Sequence, residues 1–94
     1  MVDAQKGYEM GFVSRVVEDD QLVYEVNILA RKLADSATLA IAGIKELLGR
    51  SWHESIETQM EYEKQMLSRL VLMEDHNEAI SAFREKRKPV YKGR

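Results

Sequence analysis

The sequence predicts an all-α protein: a short N-terminal helix and an extended segment, then four helices packed as an oligomerising helical domain. One proline, Pro89, and five glycines are the only strong helix breakers in 94 residues. Apolar side chains also recur at steps of three and four residues, which is the period of an α-helix. A chain of this length fits one small domain, so we expect a single helical domain over residues 1–94.

Composition argues against several classes of protein. The formal net charge of −2 is not that of a typical nucleic-acid-binding domain. Without cysteine the chain has no disulfide framework and no thiolate metal site. No apolar run approaches the roughly 20 residues that cross a bilayer, and no signal-peptide pattern opens the chain. We therefore expect a soluble, cytoplasmic protein that binds neither nucleic acid nor a membrane.

The first part of the chain predicts one short helix and one extended segment. The helix covers about Ala4 to Met10, with Asp3 as its N-cap and Gly11 directly after its last turn. Residues 12–17 alternate imperfectly between apolar and polar and are rich in β-branched side chains. That composition favours extended backbone over helix.

The next two helices are predicted from their apolar stripes and their flanking residues. The second follows Asp19-Asp20 as N-cap and first turn and ends near Asp35-Ser36. Its stripe steps by four, three and four residues through Leu22, Val26, Leu29 and Leu33. The third covers about Thr38 to Leu48 and is closed by Gly49. Gly43 inside this helix costs about 1 kcal/mol relative to alanine, and close packing against a neighbour would explain it.

The last two helices are predicted to start at capping boxes, a hydroxyl or carboxylate followed three residues later by glutamate. The first box is residues 51–54, and its helix extends to about Met73. The second box is residues 75–78, and its helix runs to about Lys88. Pro89 stops this helix because it disfavours helical geometry in the residue before it.

Most side chains that could take part in catalysis or metal binding also have an ordinary structural explanation. His53 and His76 lie far apart in the sequence without cysteine partners, which favours capping-turn histidines over metal ligands. Trp52 is either an interface anchor or a hydrophobic clamp over the third and fourth helices. The acidic residues of the fourth helix step along its polar face, so we interpret them as solvated rather than catalytic: Glu54, Glu57, Glu61 and Glu63. No catalytic residue is predicted.

The basic tail is the strongest candidate for ligand binding. Residues 83–94 contain six basic residues and one acidic residue, so their net charge is +5 while the rest of the chain is acidic. Helical spacing would place Phe83, Lys86 and Arg87 on one side of a helix end. An aromatic ring beside two cations suits a nucleotide phosphate. The same cations could equally complement the helix dipole, and spacing alone does not decide between these readings.

Three segments resemble one known family. Residues 74–80 followed by 82–93 strongly resemble the C-terminal end of the enoyl-CoA hydratase/isomerase (crotonase) superfamily. Residues 8–17 are similar to the segment that follows the family's catalytic core, and the Lys-Glu-Leu-Leu of residues 45–48 is similar to the next helix. The resemblance covers nearly all 94 residues.

The resemblance implies a helical region without the family's catalytic parts. The backbone N–H groups that hold the thioester oxyanion, the catalytic glutamates and the spiral of β-turns belong to upstream segments. The C-terminal region of the family covers the active site and builds the trimer interface, and an aromatic and a lysine of its tail reach the CoA of a neighbouring subunit. The matching positions are Phe83 and Lys86, which with Arg87 form the predicted CoA-binding set in a complete assembly. No cofactor is required, and a coenzyme A thioester is the parent family's substrate.

Two departures from the family pattern leave alternatives open. Ser36-Ala37 stands where the family often has Ser-Pro, so the third helix could be fused to its predecessor. Met1 falls at an internal position of the family, which predicts either a fragment of a longer crotonase or a stand-alone interaction module derived from one. A complete small enzyme is the third reading. In each of the first two readings, helices left without the large core should self-associate or bind a crotonase-type subunit.

Overall fold

The computed structural model describes residues 1–94, and its regular structure is entirely helical. The predicted all-α class is confirmed. A short 3-10 turn, Asp19–Gln21, precedes the second of five helices, which are α1 Ala4–Glu9, α2 Leu22–Ala34, α3 Thr38–Arg50, α4 Ile56–Leu70 and α5 Glu74–Glu85. The chain divides into two compact units, residues 1–30 and 31–94. No helix is both long and apolar enough to cross a membrane.

In the first unit, α1 is capped as its sequence predicts. The Asp3 carboxylate accepts a hydrogen bond of 2.8 Å from the backbone N–H of Lys6. At the other end Gly11 has φ +81°, a conformation that glycine adopts without a Cβ clash. The carbonyl of Gly7 then accepts the N–H of Phe12 at 2.9 Å, which turns the chain back along the helix.

The segment after α1 forms neither a helix nor a strand. Arg15 in this segment forms an ion pair of 2.9 Å with Glu25. The predicted start of α2 needs a correction, because Asp19 and Asp20 do not cap it but lie inside the 3-10 turn. Their carboxylates lie directly before α2, where negative charge complements the positive end of the helix dipole.

In the second unit, α3 and α4 pack side by side. Gly43 is buried on α3, and a Cβ placed there would lie 2.9 Å from the Met66 sulfur on α4. The close packing suggested for this glycine is therefore confirmed. The Gln59 side-chain amide also ties α4 to α3, because its Nε2 donates to the Leu47 carbonyl at 3.0 Å.

The predicted end of α3 was wrong, and its start had been left open. The helix continues through Gly49 to Arg50, since Gly49 does not adopt the left-handed conformation of a helix stop. The alternative of a fusion with its predecessor is excluded, because α2 ends at Ala34 and α3 begins only at Thr38.

The predicted capping box at residues 51–54 was also wrong. The Ser51 hydroxyl is already used, because it donates to the Leu48 carbonyl at the end of α3. The true N-cap is Ser55, whose side chain accepts the backbone N–H of Thr58 at 3.2 Å. The helix consequently starts at Ile56, and it ends at Leu70 rather than near Met73.

The second predicted capping box fails for a different reason. Helix α5 begins at Glu74 after Met73, with no side-chain cap, and Asp75 lies within its first turn. The Asp75 carboxylate accepts hydrogen bonds from the far end of the chain instead. The helix ends at Glu85, before the predicted Lys88, because Lys86 takes a left-handed conformation with φ 54° and ψ 39°.

The chain encloses very little apolar surface. Ala82 is its one buried apolar side chain, and many large apolar residues are exposed. Trp52 is 86% exposed, so its interpretation as a clamp over the third and fourth helices was wrong.

Candidate functional site

The candidate site is the C-terminal end of α5, where the structure separates the three residues that helical spacing had grouped. Phe83 lies on the last turn of the helix and is 86% exposed. Lys86 is the left-handed C-cap, and its ammonium group forms no ion pair. Arg87 lies beyond the helix, so the prediction of one helical face for all three was wrong. Their role in ligand binding stays a prediction.

Arg87 is held by two carboxylates. Its Nη1 and Nη2 donate to the two oxygens of Glu78 at 2.6 and 2.9 Å, a bidentate pair that matches the planar guanidinium to the carboxylate. Its Nε donates to Glu85, and its Nη1 also reaches the Lys88 carbonyl at 3.4 Å. Arg87 is therefore engaged within the chain.

The Glu78 carboxylate also holds the tail that follows Arg87. Its Oε1 accepts the backbone N–H of Val90 at 2.8 Å. The hydrogen bonds from Arg87, followed by that from Val90, lower the pKa of Glu78 to about 2. Glu78 is thus a negatively charged anchor for the tail at neutral pH.

We expect this anchor to weaken in acid. Because the pKa of Glu78 is lower in the folded chain than its ordinary 4.5, its contribution to stability is complete above about pH 4.5 and is lost as the pH falls towards about 2. A carbon-detected NMR titration of the side-chain carboxyl of Glu78 measures this directly. In Arg87→Gln the pKa should return towards the ordinary value, and an unshifted pKa in the wild-type chain would contradict the prediction.

Further along, the tail folds back onto the first turn of α5. The buried Asp75 carboxylate accepts the backbone N–H groups of Lys92 at 2.7 Å and Gly93 at 2.9 Å. The N–H of Asp75 itself donates to the carbonyl of Arg94 at 2.9 Å, and the Arg94 side chain pairs with Glu74 at 3.0 Å. Three acidic residues on one helix therefore hold residues 87–94.

Sequence reasoning missed the roles of Asp75 and Glu78, which it had assigned to a capping box. Their spacing places both carboxylates on one side of α5, and the basic tail follows. An acidic helix face followed by a basic tail is the sequence signal that could have predicted this fold-back contact.

A second feature is an open groove between α3 and α4, with a volume of about 530 Å³. Apolar side chains such as Ile44, Leu47 and Leu67 dominate its walls, and Gln59 and Glu63 stand among them. The Gln59 Oε1 has no hydrogen-bond partner. The groove can cover an apolar body, but its few polar groups form no arrangement for acid–base chemistry.

The glutamates of α4 behave as surface groups. Hydrogen bonds from Lys64 and Gln65 lower the pKa of Glu61, and those from its own backbone and Ser55 lower that of Glu57. A general acid needs the opposite shift. No group of three or more histidine, aspartate or glutamate side chains is placed to hold a metal ion.

Comparison with known proteins shows the family to which the chain is similar. The sequence profile of the family described as enoyl-CoA hydratase/isomerase matches residues 1–94. The chain is 34% identical over 93 residues to a 2,3-dehydroadipyl-CoA hydratase of Escherichia coli strain K12, covering 99% of the chain and 36% of that protein. It is 35% identical over 97 residues to a carnitinyl-CoA dehydratase of Citrobacter koseri, covering 99% and 37%.

Solved structures give the same result. An enoyl-CoA hydratase from Geobacillus kaustophilus superposes with a TM-score of 0.93 at 34% identity, over 99% of this chain and 35% of that one. An enoyl-CoA hydratase/isomerase from Mycobacterium abscessus gives 0.94 at 34% identity, over 99% and 36%. The chain belongs to the enoyl-CoA hydratase/isomerase family, and it corresponds to the C-terminal helical region of the crotonase fold. It spans about 36% of the length of the curated relatives that it matches.

Proposed function

We propose that this chain is the C-terminal oligomerisation and CoA-covering region of an enoyl-CoA hydratase/isomerase-like protein that acts on acyl-CoA thioesters. We also propose that these 94 residues do not catalyse the reaction alone. The observation that carries the proposal is the match of the whole chain to about a third of each relative. Many of its large apolar side chains stay exposed, as expected of a region whose neighbours are other parts of an assembly.

The proposed association surface includes the apolar stripe of α2. Its members are 47–56% exposed, although side chains of this kind each gain about 1.5–3 kcal/mol when fully buried: Leu22, Val26, Leu29 and Leu33. A second copy of the chain, or a crotonase-type subunit, would bury them. The α3–α4 groove adds further apolar surface for the same purpose.

The proposed CoA contact is the exposed end of α5. Phe83 offers an aromatic face and Lys86 an unpaired ammonium group, which suit a nucleotide base or acyl chain and a phosphate. They form at most one wall of a site, whereas a useful pocket encloses most of its ligand. We therefore expect the isolated chain to bind CoA no better than about millimolar, near −4 kcal/mol.

The named relatives include a 2,3-dehydroadipyl-CoA hydratase, a carnitinyl-CoA dehydratase and a 1,2-epoxyphenylacetyl-CoA isomerase. These proteins share a CoA thioester and differ in acyl group and in reaction. The shared feature supports a CoA thioester as the substrate class of the complete protein.

Self-association tests the proposal directly. We expect size-exclusion chromatography with light scattering to give a mass above one chain, and Leu29→Glu to shift it towards the monomer. Asn27→Glu, an equally charged change on the same helix but away from the apolar stripe, is the matched control. A clean wild-type monomer at high concentration would contradict the oligomerisation role. Hydration of crotonyl-CoA by the same preparation would contradict the proposed inactivity.

A further inference from the structure

Arg87 has little capacity left for a ligand. Four of the five N–H donors of a guanidinium are accounted for by Glu78, Glu85 and the Lys88 carbonyl. Two carboxylates around one guanidinium also leave a net negative charge at that position. A phosphate approaching Arg87 would therefore meet repulsion, whereas Lys86 and Lys88 carry no such partners.

The backbone around Arg87 carries a second unusual feature. Lys86 is the only residue other than glycine with a positive φ, at 54°. The left-handed conformation costs a residue with a Cβ about 1–2 kcal/mol, and it persists where surrounding contacts fix it. Here the Arg87 N–H donates to the Ala82 carbonyl at 3.0 Å, and the Arg87 side chain is fixed on Glu78, one residue beyond the strained position.

Glu78 couples this turn to the rest of α5. It lies one helical turn and a half before Phe83 on the same helix, and it binds both the Arg87 guanidinium and the Val90 N–H. The chain on either side of the Lys86 turn is therefore fixed to the helix that carries Phe83. Without the pair, the turn would keep only its backbone hydrogen bonds, from the Lys86 N–H to the Phe83 carbonyl at 3.3 Å and from the Arg87 N–H to the Ala82 carbonyl.

We propose that Glu78 and Arg87 form a positioning clamp that holds Lys86 in its left-handed turn beside Phe83, and that Arg87 makes no phosphate contact itself. The ligand part of this inference rests on the proposed function. The structural part does not depend on it. Arg87 thereby changes from a predicted ligand-binding residue to a positioning residue.

Two substitutions at one position separate the clamp from a simple charge. Lysine keeps the positive charge of arginine but cannot form the bidentate pair with Glu78. The clamp predicts that Arg87→Lys and Arg87→Gln weaken CoA binding alike, by about fivefold if the turn is then formed about one-fifth of the time. NMR titration of the 94-residue chain with millimolar CoA measures this. Binding by Arg87→Lys equal to the wild type, with Arg87→Gln weakened, would overturn the proposal.

Substitutions at Glu78 give an independent test, because the clamp and a direct Arg87–phosphate contact predict opposite changes in CoA affinity. If Arg87 were a phosphate ligand, Glu78→Gln would release it and strengthen CoA binding. The clamp predicts weaker binding in Glu78→Gln and partial recovery in the exchanged pair Glu78→Arg with Arg87→Glu. Tighter binding in Glu78→Gln, or no recovery in the exchanged pair, counts against the clamp. Glu57→Gln, which removes one exposed carboxylate on α4 outside the pair, is the matched control for net charge.

Amide hydrogen exchange tests the clamp without any ligand. We expect the Arg87 and Val90 N–H groups to exchange faster in Glu78→Gln and Arg87→Gln, while amides in the middle of α3 stay protected. Unchanged exchange in these variants would overturn the clamp. The CoA contact proposed for Phe83 and Lys86 fails separately, if Phe83→Ala and Lys86→Ala leave the CoA-induced shifts of the wild type unaltered.

Discussion

Gly43→Val is expected to lower the free energy of unfolding by about 2–4 kcal/mol, because α3 and α4 are in contact at this glycine. A Cβ alone would lie 2.9 Å from the Met66 sulfur and 3.0 Å from its Cγ. Valine adds two methyl groups to that overlap, and its helix propensity, only about 0.3 kcal/mol better than that of glycine, offsets little of the cost. The two helices must therefore separate or Met66 must leave its position.

Gly49→Ala in the same helix is the matched control. Gly49 is exposed, has no atom within 4 Å of an added Cβ and does not adopt a positive φ. Alanine there should raise stability by about 0.5–1 kcal/mol through helix propensity. Urea unfolding followed by circular dichroism at one fixed protein concentration measures both, since self-association makes stability depend on concentration. Equal effects of the two substitutions would refute the close-packing interpretation of Gly43.

The class of fold and the helical segments could be predicted because they depend on local pattern. Apolar residues at helical spacing and a single late proline are sufficient to indicate five helices, and the observed helices fall within a few residues of the predicted ones. Asp3 and Gly11 were also assigned correctly, because an N-cap and a left-handed glycine act within one turn of the chain.

The helix ends were predicted wrongly where two local signals competed. Both Ser51 and Ser55 are good N-caps, and the sequence does not rank them. The choice depends on α3, which runs through Gly49 and so brings its last carbonyls within reach of the Ser51 hydroxyl. That hydroxyl then donates to Leu48, and Ser55 is left to cap α4.

The contacts around the candidate site could not be predicted because their partners lie far apart along the chain. The resemblance and the helical spacing predict that Phe83 and Lys86 bind CoA, which stays a prediction, and the structure shows that Phe83 is exposed. The partner of Arg87 is nine residues away, and the partners of Asp75 are 17 and 18 residues away. Contacts of this kind form when the tail folds back, and no helical period contains them.

The largest effect on the tail is expected from Asp75→Ala. Asp75 is 6% exposed, and its carboxylate accepts two backbone N–H groups, from Lys92 and Gly93. Hydrogen bonds to a charged group contribute about 1.5–3 kcal/mol each, and the two N–H groups would otherwise be left unpaired against α5. We expect a loss of about 2–4 kcal/mol in the free energy of unfolding, or release of residues 87–94 at a similar cost.

Hydrogen exchange at single amides distinguishes tail release from general unfolding. The N–H groups of Lys92 and Gly93 should lose protection in Asp75→Ala even under conditions where α3 and α4 remain folded. Asp75→Asn keeps one acceptor oxygen, so it should preserve part of the protection. Asp20→Ala, which removes an exposed carboxylate from the 3-10 turn before α2, should change neither amide. If Asp75→Ala and Asp20→Ala behaved alike, the buried carboxylate would not be what holds the tail, and the fold-back would depend on Glu78 and Glu74 alone.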